Sequence, residues 1–371
     1  MKILHVLGTP RAEGTPNLVL DWLSLPAGGY TQEVFVLHGQ PADLSAELRA
    51  RAAWYGEGDL LRGRGLRKFA RITASVRDVC RQRRPDLIIC WFTGFACWIA
   101  FGVRLALGWR PKLIIHCGCP PDCGTRANWV SRAVLLPAGL LGARCACCSN
   151  YVRDSYRSIA GLPARKFETV YNCVRTETIA TRATAARRQR AETGRWGIMV
   201  AIFEAAKGHA VLLRAVPAVL AQAPDFRLRL VGGGSRLEEM KALAHQLGVE
   251  EAVEFLGSRR DVPECLGRSD LFIFPATIHE GLGSVTIEAL AAGLPVVACD
   301  VPSCQEVLAG GRYGQLVAPD SASALAEGIL NSLARPVSTP EDRLSRASYF
   351  NPSRMLNEYL QLVGLPTASF P

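Results

Sequence analysis

Phe274-Pro275-Ala276-Thr277-Ile278-His279-Glu280-Gly281-Leu282-Gly283-Ser284-Val285-Thr286-Ile287-Glu288-Ala289-Leu290-Ala291-Ala292-Gly293-Leu294-Pro295-Val296-Val297-Ala298 decides the reading of this chain. It runs from the end of an apolar strand through a glycine-containing turn into a helix, and then into a second apolar strand. Gly281 and Gly283 allow close backbone approach, and the helix start offers unpaired N–H groups to an anion. The dipole there contributes only about 0.3–1 kcal/mol when exposed and more in a dry site. Glu280 stands at the turn and Glu288 about two turns along the helix. A carboxylate repels phosphate, but it is a strong acceptor for the hydroxyl of a polyol.

The same alternation extends in both directions. Strands are expected at 2–7, 33–37, 86–89, 112–116 and 167–171, and then at 198–202, 227–231, 253–256, 271–274, 296–298 and 315–317. Helical patterns fill the gaps at 15–23, 65–83, 95–107, 210–222, 236–247, 262–268, 283–292 and 322–333. Strands alternating with helices of this length predict parallel sheets covered on both faces, with ligand loops at the carboxyl ends of the strands. A length of 371 residues suits two such domains. The expected division is an N-terminal Rossmann-like domain at 1–174, a polar Arg/Thr/Ala-rich linker at 175–197, a second domain at 198–345, and a helix and tail at 346–371 that return to the first domain.

With seven residues between Glu280 and Glu288, and Gly281, Gly283, Ala289, Gly293 and Pro295 around them, the chain resembles the retaining family 4 (group 1) glycosyltransferases. Val200–His209, Leu230–Gly234, Phe255–Gly257 and Cys299–Val307 fit that pattern in order and spacing. The resemblance implies the GT-B fold, two Rossmann-like doubly wound domains with a cleft between them. It implies that Lys207 contacts a donor diphosphate, that the Gly281–Leu282–Gly283 backbone caps it, that Glu280 touches sugar hydroxyls and that Glu288 holds the ribose. Gly233 belongs to a second glycine turn, and Leu256 and Gly257 border the base. In the first domain, His116 would face the transferred sugar, and the loop from Gly8 to Gly14 would lie beside the acceptor. Family members often carry Arg where this chain has Ile202, so either another arginine supplies that charge or donor affinity is low.

Charge is unevenly divided. Residues 1–172 hold 23 Lys+Arg and 12 Asp+Glu, a net of +11, whereas 173–371 hold 20 and 21, a net of −1. The excess falls on the half expected to meet the acceptor. The segment 49–84 concentrates it, with Trp54, Tyr55, Leu60, Leu61 and Leu66 as apolar neighbours. It reads as a solvated helix face or as a surface for anionic lipid or a phosphate-bearing acceptor. No nucleic-acid motif accompanies the charge.

The thirteen cysteines fall at irregular spacing inside apolar runs, which suits free thiols in a reducing cytoplasm rather than a disulfide framework. Cys117, Cys119 and Cys123, with Cys145, Cys147 and Cys148, lack the paired C-x2-C spacing of structural zinc, so no metal is expected. The start of the chain reads as a strand rather than a signal peptide. Residues 91–109 carry one charge and could span a bilayer by length. Gly94, Gly102 and Gly108, with a strand on either side, favour strand–helix–strand packing instead.

The expectation is a retaining transferase that moves a sugar from a UDP- or GDP-sugar to a glycan or lipid-linked acceptor, with no cofactor or metal, in the cytoplasm or peripherally on the inner membrane face. Reaction would occur in the cleft. Two alternatives stand beside it. A sugar-nucleotide epimerase on the same fold would convert donor without acceptor. A non-catalytic basic lipid-binding protein would need neither Lys207 nor the two glutamates.

Overall fold

Runs such as Leu87–Cys90, Leu271–Phe274 and Val296–Cys299 are buried at every position. That is the signature of parallel strands covered on both faces, where no polar alternation is needed. The computed structural model describes the chain apart from residues 12, 13, 27, 63, 64, 122–124 and 369–371. Cys123 and part of the 8–14 loop therefore lie outside the described residues.

The chain divides into two units, one of Met1–Cys173 with Pro352–Pro371 and one of Val174–Asn351. Unit 1 alternates β1 (Lys2–Leu7), α1 (Gly14–Leu23), β2 (Thr31–Val36), α2 (Ser45–Arg51), β3 (Trp54–Glu57), α3 (Gly65–Arg83), β4 (Leu87–Cys90), α4 (Ala96–Leu107), β5 (Lys112–Cys117), α5 (Thr125–Leu140), β6 (Arg144–Cys147), α6 (Asn150–Ile159) and β7 (Phe167–Thr169). Its sheet is parallel throughout, in the order β3-β2-β1-β4-β5-β6-β7.

Unit 2 contains α7 (Thr176–Arg188), β8 (Arg195–Val200), α8 (His209–Gln222), β9 (Phe226–Val231), α9 (Leu237–Gln246), β10 (Val253–Gly257), α10 (Val262–Gly267) and β11 (Leu271–Phe274). It continues with α11 (Ser284–Ala291), β12 (Val296–Cys299), α12 (Pro302–Val307), β13 (Gln315–Val317), α13 (Ala322–Ala334) and α14 (Pro340–Ser348). Its sheet, also parallel, runs β10-β9-β8-β11-β12-β13. The last helix, α15 (Pro352–Leu362), belongs to unit 1. Its Met355, Leu356, Tyr359 and Leu360 enter the core around Trp22 and Trp91. Trp22 and Tyr359 meet edge-on at 5.0 Å, a favoured aromatic geometry.

Two expected boundaries are corrected. The polar stretch expected as a linker folds as α7 and β8 of unit 2. Ile179, Ala183 and Ala186 are spaced by four and three, so they share one face and are buried. A side chain on Gly267 of α10 would meet the Ala183 carbonyl at 2.2 Å, so these helices touch through small residues. Arg182 closes the contact by a forked pair to Glu264 at 2.8 and 2.7 Å. The division expected at 345/346 cuts α14, a unit 2 helix begun by a capping box of Thr339 and Asp342. The return to unit 1 starts at Pro352.

Among the described residues, no helix is long and apolar enough to cross a membrane. The apolar stretch after β4 forms α4, whose Gly102 lies against the Thr73 carbonyl of α3; a Cβ there would sit 2.6 Å from that oxygen.

Candidate active site

An open parallel sheet binds ligands where its strand order reverses, outside the carboxyl ends of the strands. In unit 2 that point lies between β8 and β11. The loop after β8 ends in a short turn, Ala205–Lys207, and the loop after β11 carries Glu280. The Lys207 ammonium donates to Glu280 Oε2 at 2.6 Å, with both side chains largely buried. The second oxygen, Oε1, accepts the Gly283 N–H at 3.1 Å. Thr277 Oγ1 donates to the Ala206 carbonyl at 3.0 Å and ties the two loops again.

Glycine permits this approach. Gly208 follows Lys207 with φ of 75°, and a Cβ there would lie 1.9 Å from the Pro275 carbonyl oxygen. Gly283, with φ of 74°, precedes α11, and its Cβ would press into the Phe274 ring at 2.8 Å.

The other residues predicted for this unit end neighbouring strands. Gly233 follows β9, and a Cβ on it would meet Ser258 Oγ at 2.8 Å. Leu256 and Gly257 close β10 and are half-buried. Gly281 and Leu282 are buried in the turn, and Glu288 is half-buried on α11. Lys207, Gly233, Leu256, Gly257 and the Glu280–Glu288 segment therefore all lie at the carboxyl ends of four neighbouring strands.

Two residues here escaped the sequence reading. His209 is buried at the start of α8, stacked on Phe203 at 4.2 Å, with its Nδ1 lacking a hydrogen-bond partner. Burial first, and then the nearby Lys207 and Arg236 charges, push its pKa down to about 4, so the ring is neutral. Arg236 lines the same pocket of about 80 Å³ with Phe203, Glu204, Gly208, His209 and Thr277. Ile202 is 42% exposed and brings no charge. The signal for both residues was adjacency: His209 follows Lys207-Gly208, and Arg236 follows the second glycine turn.

In unit 1 the strand order reverses between β1 and β4. A pocket of about 280 Å³ opens there, lined by Gly8, Thr9, Arg11, Gly14, Trp91 and Phe92 among others. Gly8 and Gly14 both line this pocket. Trp91 is fixed from behind, because its Nε1 donates to His5 Nδ1 at 3.0 Å. The proton of His5 is thereby on Nε2, which donates to Gln32 Oε1 at 3.0 Å. Sequence reading passed over His5, which looks like any polar residue in a strand.

His116 is the penultimate residue of β5 and does not line that pocket. It is 1% exposed, and its ring lies 5.1 Å from that of Trp91. Its Nδ1 is 2.7 Å from the Tyr359 hydroxyl of α15, and its Nε2 has no hydrogen-bond partner. Burial pushes its pKa down to about 4. Gly118 covers the free Nε2, where a Cβ would sit 3.1 Å away. The expectation that His116 faces a sugar directly is thus corrected to a buried histidine behind Trp91, because packing by α15 encloses it.

The family described as "Glycosyl transferases group 1" matches residues 182–349, and the one described as "Glycosyltransferase Family 4" matches residues 24–178. This chain belongs to the family 4, group 1 glycosyltransferases. Over 200 residues this glycosyltransferase-family chain is 32% identical to the GDP-mannose-dependent alpha-(1-6)-phosphatidylinositol monomannoside mannosyltransferase of Mycolicibacterium smegmatis, covering 51% of this chain and 52% of that one. It is 36% identical over 140 residues to the phosphatidyl-myo-inositol mannosyltransferase of Mycobacterium tuberculosis, covering 36% of each. The match thus spans about half the length of the first relative and about a third of the second.

The fold is shared with Anabaena HepE, solved with UDP and glucose, at a TM-score of 0.80 and 19% identity over 98% of this chain and 99% of that one. It is also shared with sucrose-phosphate synthase of Thermosynechococcus elongatus, at 0.76 and 18% over 98% of each. The fold class is that of the GT-B glycosyltransferases.

In this family 4 chain most of the clustered cysteines that the structure describes are buried. Cys117 on β5, Cys145 and Cys147 on the adjacent β6, and Cys148 just beyond it are buried, and Cys119 is exposed. Cys145 and Cys147 beside it, together with burial, hold the Cys117 thiol well above its ordinary pKa, so it stays neutral. Among the described residues, no group of three or more His, Cys, Asp or Glu is placed to hold a metal ion.

The apolar neighbours singled out in the basic segment are used by the fold. Trp54 and Tyr55 lie in β3 and Leu60 is buried, while Leu66 remains exposed.

Proposed function

We propose that this chain transfers a sugar from a UDP- or GDP-sugar to a glycan or lipid-linked acceptor, with retention at the anomeric carbon. The observation that carries the reading is the Lys207–Glu280 pair at the switch point of unit 2. A cation held by a carboxylate beside a helix start suits a ligand with a diphosphate at one end and hydroxyls at the other. The Anabaena protein was solved with UDP and glucose, and the mycobacterial relative is described as GDP-mannose-dependent, which supports testing both nucleotides.

Each residue has a defined task in this proposal. Lys207 and Arg236 stabilise the charge that develops on the departing diphosphate, helped by the backbone of Gly281–Gly283. Sharing Lys207 with Glu280 fixes the ammonium before the donor arrives, so less ordering remains at the moment of reaction. Glu280 accepts from sugar hydroxyls, Glu288 from the ribose, and Gly233, Leu256 and Gly257 border the nucleoside. Retention follows the family resemblance: the leaving diphosphate and the acceptor share one face of the sugar. Glu280, engaged by Lys207 and the Gly283 N–H, is a weak nucleophile and acts by position.

On unit 1, the Gly8–Gly14 pocket receives the acceptor. His116, buried behind Trp91, backs the wall of that pocket. The free thiols and the positive charge of residues 1–172 suit a peripheral protein on the cytoplasmic face of a membrane.

A thermal-shift panel of UDP, GDP and ADP tests the donor reading. A rise with UDP or GDP that disappears in Lys207→Ala is expected. No rise with any of them would overturn it. Donor turnover without acceptor, giving an epimer, would favour the epimerase instead.

A further inference from the structure

Helices α4 and α5 leave a large apolar surface uncovered. On α4, Phe101 and Leu105 are 46% and 49% exposed, four residues apart on one face, and Trp109 just beyond the helix is 68% exposed. On α5, Trp129, Val130 and Leu140 are 73%, 55% and 70% exposed. Scattered apolar side chains are ordinary on a protein surface, but a contiguous group of this size marks an interface.

These side chains belong to two helices that pack together and are tied at their C-terminal ends. Arg104 donates to the Leu141 carbonyl at 2.7 Å and stacks its guanidinium on the Trp109 ring at 4.7 Å. Trp109 in turn lies against Gly142, where a Cβ would come within 2.9 Å of the indole. Packed beside α4, α3 adds exposed Leu66, Arg67 and Arg71.

We propose that this face docks on the surface of an anionic phospholipid bilayer. Charge decides the occupant. Neither α4 nor α5 carries an acidic residue, while Arg104 and Arg132 lie on them and Arg110 and Lys112 follow α4. A second copy placed on this face by two-fold symmetry would set arginine against arginine. Anionic headgroups neutralise the exposed Arg110, Lys112 and Arg132, while Arg104 is held by the Leu141, Gly108 and Pro111 carbonyls, and the indoles and aliphatic side chains enter the interfacial layer. The surface differs from the one expected around Trp54, Tyr55 and Leu60. The proposal deepens the reading of a lipid-linked acceptor, yet its readout needs no turnover, so the two can fail separately.

The test is sedimentation of the full chain with extruded vesicles of phosphatidylcholine alone, or of phosphatidylcholine with one-third phosphatidylglycerol. The wild-type chain is expected to bind the anionic vesicles and not the neutral ones, with binding that weakens as salt rises. Trp109→Ser/Trp129→Ser should lose about tenfold or more of that partitioning. Trp129→Ser/Leu140→Ser should lose a comparable amount while sparing Trp109, whose ring also carries Arg104. Nucleotide binding and thermal stability of both variants report that they are folded. Glu280→Gln should bind vesicles like wild type. The proposal is overturned if wild type ignores anionic vesicles or if both variants bind as well as wild type. It is equally overturned if wild type self-associates in solution and Trp129→Ser abolishes that association, which assigns the face to a second copy.

Discussion

The His116 imidazole and the Tyr359 hydroxyl are 2.7 Å apart, although 243 residues separate them in the chain. The last helix thereby fixes a side chain at the end of a central strand of unit 1. Both groups are buried, so neither has water as a substitute partner.

Tyr359→Phe keeps the ring packed against Trp22 and removes only the hydroxyl. His116 Nδ1 is then buried without a partner, which costs about 1–3 kcal/mol. We expect a lower denaturation midpoint, together with a fall in kcat at unchanged donor affinity. A purely structural role would lower the midpoint and leave kcat as it was.

The Lys207–Glu280 pair makes a different kind of prediction. Lys207→Ala should weaken UDP or GDP binding by about 1.5–3 kcal/mol, the range for hydrogen bonds to charged groups. Glu280→Ala should abolish most transfer while leaving the fold intact. Because the two touch, their effects should not add, and a double-mutant cycle should give a coupling of about 0.5–3 kcal/mol. Titrating nucleotide diphosphate into all four proteins measures it. Strict additivity would show that the contact is irrelevant to the ligand.

The parts of this site legible in the sequence are those set by local pattern. Buried strands such as Leu-Ile-Ile-Cys at 87–90 read as continuous apolar runs, and the Glu280–Glu288 segment reads as turn and helix. Missed elements have weak local signals. β3 is four residues long and half-exposed, and β6, Arg144–Cys147, has no β-branched residue. α7 hides its buried stripe in alanines among arginines. Tyr359, His5 and Arg236 matter through tertiary contacts, which no periodicity records.

Acidity should destabilise both units. His5, His116 and His209 are buried, and burial lowers each pKa to about 4 from 6.5. The unfolded chain therefore takes up protons between pH 6.5 and 4 while the folded chain does not, so stability rises with pH across that window. The contribution is intact above 6.5 and lost as the pH falls to about 4, on the order of 3 kcal/mol for each histidine. Urea midpoints measured at pH 7.5, 6 and 5 should fall progressively, in the direction given by linkage. A flat profile would contradict the buried, neutral state of these rings.

Gly208→Ala tests what brings Lys207 to Glu280. The backbone there has φ of 75°, and a new Cβ would sit 1.9 Å from the Pro275 carbonyl oxygen. Left-handed geometry alone costs a non-glycine residue about 1–2 kcal/mol. The overlap cannot be relieved by a rotamer change, since the obstacle is backbone, so the loops after β8 and β11 must separate. Gly248→Ala is the control, because φ there is 66° but nothing lies within 4 Å of the added carbon. Both substitutions should lower the melting temperature, Gly208→Ala by more. Only Gly208→Ala should also weaken nucleotide diphosphate binding, because it alone displaces Lys207 from Glu280. Equal melting temperatures and equal nucleotide affinities in the two variants would mean that the close packing of these loops does not hold the site together.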